Sequence, residues 1–396
     1  EVLQQIVDDF NASQDEIEIK AEYQGTYDDT ITKLKAAMQS DSGLPDVCQM
    51  YDVGTKFMYD SGAVIPVEDK FESTGYDKSS VMEVISSYYT VDGKQYAMPF
   101  NVSTPMLYYN KDVFEAAGLD PETPPTTYDE VLEDAKKIVE SGAAPVGYSQ
   151  AIYGWFFEQQ LAGLGVTYGN NDNGRKEAVT AVDFDSNGGG LKVFDMWKKL
   201  YDSGYFEDYG TTTADTQTAF FSGQVGMIIE STAILKNAVD SSPFEVGTGY
   251  LPRIEQNDEG GVIIGGGSLW LTDTGNEANE DAAWKFIEYI TTPDVQAKWS
   301  MGTGYFAINE KAYETEDMKA YLKENPNFET AINQLKDSPV NCNTAGVLSG
   351  VQTEARLTFN EIMPQVYDGK LTTQDAVDQL AASVNKAIEN YNESIK

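Results

Sequence analysis

Histidine is absent from all 396 residues. That absence removes Ser-His-Asp and Cys-His nucleophile systems, histidine-ligated zinc and the commonest general acid–base group together. Cysteine is scarce as well: Cys48 and Cys342 are far apart and form no CxxC pair. Each reads as a free thiol, and a disulfide between them stays open, because spacing alone does not carry the geometry a bridge needs. No apolar run approaches the roughly 18–20 residues of a membrane span, so a soluble chain is expected. Basic residues are few, 27 Lys and Arg against 64 Asp and Glu, for a formal net charge of -37. A field of that sign repels phosphate backbones, and no basic cluster interrupts it, so no nucleic-acid partner is expected. The acidic surface reads as a source of solubility. GxSxG, Walker A, HExxH and EF-hand patterns are also missing, and no catalytic residue, metal site or cofactor is assigned.

What is present suffices for folded cores: 41% of the residues are hydrophobic and 12% aromatic. The length exceeds one ordinary domain, so two lobes are expected. Helical and strand patterns alternate, which points to α/β architecture. Val2, Leu3, Ile6, Val7 and Phe10 have helical spacing, and residues 16–23 alternate like a strand. Tyr27, Ile31, Leu34 and Met38 mark a second helix, and 47–51 a second strand, an order that predicts a parallel sheet. Residues 99–109 read as extended, 128–139 as a helix capped by Thr127, and 225–229 as a buried strand. Further helices are expected at 191–201, 213–222, 280–290 and 293–299, and a last one from Thr372, whose pairing with Asp375 resembles a capping box. The chain opens at Glu1 without Met or a leader pattern; a removed signal or a start inside the mature protein is the expectation.

Candidate chemistry is sparse. Gly265-Gly266-Gly267-Ser268 lacks the spacing of a phosphate loop and reads as a tight turn before a strand at 269–271. Asp28-Asp29 is the kind of carboxylate pair that glycosidases use, yet chance pairs are expected among so many acids. Residues 170–173 read as a polar loop. Arginine is the side chain best shaped to clamp an anionic oxygen, and Arg175, Arg253 and Arg356 are the candidates. For Arg356 a salt bridge and a ligand clamp are both open.

Several separated segments then carry a family. They are Gly25-Thr26-Tyr27, 51–55 (YDVGT), 99–105 (PFNVSTP) running into 107–112 (LYYNKD), 118–122 (GLDPE), 263–270 (IIGGGSLW) and Thr303-Gly304-Tyr305. Together they resemble the extracellular solute-binding proteins of the sugar-binding ABC class, most closely the branch that binds sn-glycerol 3-phosphate. The resemblance implies a two-lobed α/β fold of the periplasmic-binding-protein type, with ligand in a cleft closed by hinge motion and no catalysis. It places 1–108 plus 270–308 in an N-terminal lobe and 109–269 plus 309–396 in a C-terminal lobe. It implies a monomer outside the cytoplasm, in the periplasm or as a surface lipoprotein, that serves ABC permease subunits.

The same resemblance sets Tyr27 and Asp52 against glycerol hydroxyls. Ser103, Ser231, the Gly266 backbone, Tyr305 and Arg356 surround a phosphate, and Tyr128 and Trp155 form an aromatic wall. Carboxylate and phenol together supply the acceptors and donors that hydroxyls need. Ser231 precedes an apolar helical stretch whose N–H groups suit an anion, and Gly266 admits close backbone approach. Core packing for the aromatics and simple capping for Ser231 are the alternatives. Three departures stand out: Asp52 in place of Glu, Tyr128 in place of Trp, and a first family strand that would precede Glu1. The expected ligand is sn-glycerol 3-phosphate or a glycerophosphodiester such as glycerophosphocholine. A neutral sugar or oligosaccharide is the alternative, and a glycoside hydrolase or phosphatase the alternative from another class.

Overall fold

The computed structural model describes residues 1–40 and 43–395. Among these residues the strands are β1 (Val47–Tyr51), β2 (Val64–Ile65), β3 (Thr90–Val91), β4 (Lys94–Gln95), β5 (Met98–Ser103), β6 (Pro105–Asn110), β7 (Val146–Ser149), β8 (Val225–Ser231), β9 (Val246–Gly249) and β10 (Gly265–Thr272). The chain divides into two compact units, Glu1–Ser103 with Ile264–Glu324, and Thr104–Ile263 with Asn325–Lys396. Sequence reading put the crossings near 108, 269 and 308; the chain crosses at 103/104, 263/264 and 324/325. The last difference has a packing cause. Ala312 and Met318 bury against Ala297 and Ala307, which keeps residues 309–324 with the first unit.

The first unit is organised by β10, which comes from late in the chain and pairs with β1, β2 and β5. Every one of those pairings is antiparallel, so the parallel sheet expected from the early helix–strand alternation does not form here. Trp270 and Leu271 on β10 are fully buried. The helix Val2–Ser13 buries Ile6, Val7 and Phe10, as its spacing predicts, and the Phe10 ring meets Phe286 and Tyr289. The strand expected at 16–23 is absent. The side chains of Gln14 and Asn11 take the backbone groups of Ile17 and Ile19 that a neighbouring strand would have bonded.

The expected tight turn at Gly265–Ser268 is also corrected: these residues lie inside β10, where the register against β5 shifts between Gly266 and Ser268. A bulge of this kind places one residue at positive φ, and Gly266 takes 94°. A Cβ on Gly266 would sit 1.8 Å from the Asn101 carbonyl oxygen. Glycine is therefore required by space as well as by φ.

The second unit has strand order β7-β8-β6-β9, with β7 and β8 parallel and the other pairs antiparallel. The helix Tyr128–Ser141 starts on a complete Thr127/Glu130 capping box, and Thr373–Ser394 on the Thr372/Asp375 box seen in the sequence. The core gathers Phe157, Phe194, Trp197 and Phe359 from three helices. Residues Asn171, Asp172 and Asn173 form a left-handed turn, with Asn173 Oδ1 accepting from the N–H groups of Tyr168 and Gly169. Both cysteines are free thiols, Cys48 buried and Cys342 half-buried.

A carboxyl group lies at the end of β8. Glu230 accepts from Gln217 Nε2 at 2.8 Å and from the Ser231 N–H at 2.7 Å. Burial outweighs those two donors and pushes its pKa from 4.5 up to about 7. The folded state thus holds this proton more tightly than the unfolded chain. The stabilising contribution is complete below about 4.5 and is lost as pH rises through about 7.

Two outcomes follow. Gly266→Ala is expected to lower unfolding free energy by at least ~3 kcal/mol in denaturant titration, whereas Gly62→Ala, with positive φ but open space around it, costs only about 1 kcal/mol. Equal losses would show that φ alone matters at Gly266. Glu230→Gln is expected to stabilise relative to wild type by about 3 kcal/mol at pH near 8, with the difference vanishing towards pH near 4.5. A difference independent of pH would place the titration elsewhere.

Candidate ligand-binding site

In the first unit the sequence-expected residues converge on the β10 bulge. A Thr26/Asp29 capping box starts the helix Tyr27–Met38 and fixes Tyr27 as its first residue. The Tyr27 ring stacks on Tyr51 at 4.8 Å and 7°. Its hydroxyl accepts from Asn101 Nδ2 at 3.1 Å, and Asn101 Oδ1 accepts from Gln49 Nε2 at 2.8 Å. Gly267 leaves the room, since a Cβ there would lie 2.6 Å from Asn101 Oδ1 and 3.1 Å from the Tyr27 hydroxyl.

Burial raises the Tyr27 phenol above its ordinary value, Asn101 opposes this, and the neighbouring Tyr305 and Asp52 add to it. The phenol therefore stays protonated at neutral pH as both donor and acceptor. Asp52 is buried in the short turn that follows β1. Ser103, also buried, ends β5 opposite Gly265. Tyr305 follows Gly304, which ends the helix Pro293–Thr303 in the left-handed region. Its ring lies parallel to Trp299 at 5.9 Å, and the next residue, Phe306, donates its N–H to the Val102 carbonyl.

The second unit holds the other four. Ser231 ends β8, and its Oγ accepts the Ala233 N–H, so the capping expected of it is made to a short 3-10 turn. Tyr128 is packed in the core, 2% exposed, with its hydroxyl accepting from Gln160 Nε2. Trp155 stands in the first turn of the helix Gly154–Gly163, buried, with no partner for Nε1 among the described residues. Arg356 is buried in the helix Gln352–Tyr367 and paired with a buried carboxylate: Nε donates to Glu158 Oε1 at 2.7 Å and Nη2 to Oε2 at 2.8 Å. Gln352 Nε2 donates to the same carboxylate.

Sequence reasoning missed Tyr51, Asn101 and Gln49 in the first unit, and Glu158 and Gln352 in the second. Asn101 lay within a quoted motif. Glu158 heads a run of three polar residues, Glu158-Gln159-Gln160, inside an otherwise apolar helix, and that run was the available signal. Arg175 donates to the backbone carbonyls of Gly346 and Ala345, a structural use. An open groove of about 900 Å³, lined by Asp69, Lys70, Asp281 and Lys285 among others, contains none of these residues. Among the described residues no group of carboxylates and thiols is placed to hold a metal ion, and no helix is long and apolar enough to cross a membrane.

Comparison with known proteins identifies the family. Residues 5–330 match the family model of bacterial extracellular solute-binding proteins. The chain is 30% identical over 394 residues to the sn-glycerol-3-phosphate-binding periplasmic protein UgpB of Escherichia coli K12, covering 98% of this chain and 89% of that protein. Among solved structures, UgpB from Mycobacterium tuberculosis in complex with glycerophosphocholine superposes with a TM-score of 0.83 at 20% identity, over 99% of this chain and 95% of that one. A cyclic alpha-maltosyl-1,6-maltose binding protein from Arthrobacter globiformis gives 0.82 at 25% identity, over 98% and 95%. The protein belongs to the bacterial extracellular solute-binding family.

Proposed function

We propose that this receptor captures sn-glycerol 3-phosphate or a glycerophosphodiester and presents it to the membrane subunits of an ABC importer. The observation that carries the reading is the cluster around Tyr27. A phenol, a carboxamide and a carboxylate meet over a glycine-lined strand, an arrangement that both donates to and accepts from vicinal hydroxyls. The E. coli relative takes sn-glycerol 3-phosphate, and the M. tuberculosis neighbour holds glycerophosphocholine. In this reading Tyr27 and Asp52 meet the polyol, and Ser103, Ser231, Gly266, Tyr305 and Arg356 meet the phosphate. The two-point pairing with Glu158 fixes the plane of the Arg356 guanidinium. Trp155 supplies apolar wall, and Tyr128 supports it from the core. The protein works as a monomer without a cofactor or nucleic-acid partner, and it performs no chemistry on its ligand.

A neutral sugar is the second reading, and one observation favours it. Glu158 already balances the Arg356 charge, and the Arthrobacter neighbour binds a cyclic maltosyl sugar.

Calorimetric titration of the wild-type protein separates the two. Saturable binding of sn-glycerol 3-phosphate or glycerophosphocholine, with no heat from maltose and no hydrolysis of the phosphodiester, is expected. Maltose binding with neither phosphate bound would overturn the phosphate reading in favour of the sugar.

A further inference from the structure

Two hydrogen-bonded stretches lie in the core of the second unit, and one of them ends on an unused donor. Trp197 Nε1 donates to Gln160 Oε1 at 2.6 Å, and Gln160 Nε2 donates to the Tyr128 hydroxyl at 2.9 Å. The Tyr128 and Tyr148 rings meet edge to face, with centroids 6.5 Å apart. The Tyr148 hydroxyl donates to Gln150 Oε1 at 2.6 Å. An indole N–H has no acceptor lone pair, so Trp197 fixes the Gln160 amide, whose Nε2 then donates to Tyr128. Tyr148 gives its one hydrogen to Gln150 Oε1, which leaves the Gln150 nitrogen facing away from Tyr148.

That nitrogen, on a side chain with no exposed surface, has no hydrogen-bond partner among the described residues. A buried donor left unmet costs about as much as a lost hydrogen bond, so native structures give such groups a partner. Its position says which. Ser149 pairs with Ile228 in the parallel β7/β8 ladder, so Gln150 leaves the sheet at the same carboxyl edge as Ser231. In open α/β sheets that edge is where ligands sit. Five residues on, Trp155 Nε1 is a second buried donor without a partner.

We infer that Gln150 is a further ligand-contacting residue, whose amide N–H groups, together with the Trp155 indole N–H, grip one acceptor oxygen of the solute, phosphate or hydroxyl. The bond from the Tyr148 hydroxyl holds this amide in one orientation, so that the site shows donors where a freely turning glutamine would show either end. The inference rests on the solute-receptor reading above and adds to it the residue that selects for an acceptor at this point.

Gln150→Glu tests the donor directly, because it keeps the shape and the acceptor for Tyr148 while replacing N–H by oxygen. Gln150→Met removes both polar atoms at nearly constant length. Wild type and both variants are titrated with sn-glycerol 3-phosphate, glycerophosphocholine and maltose, and ligand-free melting is recorded alongside. Affinity for the probe that wild type binds is expected to fall at least about tenfold in both variants. The loss in Gln150→Glu grows from pH near 5 to pH near 8, and ligand-free melting of that variant, compared at pH near 5 where a buried carboxyl keeps its proton, stays within a few degrees of wild type. Affinities within roughly twofold of wild type, with melting lowered, would show a purely structural amide and overturn the inference. Wild type binding maltose alone would sink the phosphate reading, and the variants would then be judged on maltose.

Discussion

An ion pair in the interior of the second unit constrains much of what surrounds it. Glu158 and Arg356 are both nearly fully buried, and neither charge is stable there without the other. Breaking such a pair from one side costs roughly 3–5 kcal/mol, so the helices that carry the two residues are held together. Their approach is close enough that a Cβ on Gly154 would lie 2.5 Å from the Arg356 Cα. Trp155 and Glu158 stand one turn apart on one helix, and Gln352 and Arg356 one turn apart on the other. The pair therefore sets the Trp155 indole and the guanidinium in one frame.

The remaining polar groups of the core fall into those that are answered within the fold and those that are not. Gln159 is answered twice, by the Ile263 N–H and carbonyl. Gln334 is answered by Pro105 and Leu251. These amides fasten segments that would otherwise leave backbone groups unpaired. Gln150 and Trp155 differ in that their buried donors have no partner among the described residues, and we propose that the solute supplies the missing oxygen. A binding protein must leave some polar groups unsatisfied until its ligand arrives, and the order of its core keeps those groups pointed correctly.

Much of this was legible in the residues. Helices with regular apolar spacing and a side-chain cap, such as Tyr27–Met38, Tyr128–Ser141 and Thr373–Ser394, were readable because their signals are local. The motif series carried the family, and the first-unit cluster of Tyr27, Asp52, Gly266 and Tyr305 followed from it. What was not legible depends on partners distant in the chain. The strand expected at 16–23 needed a neighbour, and β10 joins strands some two hundred residues earlier in antiparallel register. The same holds for Arg356, whose partner Glu158 lies 198 positions away. A single sequence shows which groups are charged or polar but not which of them meet.

We propose that Arg356, oriented by Glu158, is the cation that meets the ligand phosphate. The most direct test removes both charges together, so that neither is stranded, in the variant Glu158→Gln/Arg356→Met. Titrated with glycerophosphocholine and sn-glycerol 3-phosphate, the folded double variant is predicted to bind at least about thirtyfold more weakly than wild type. Affinity unchanged from wild type, with the fold retained, would confine the pair to a packing role and contradict the account.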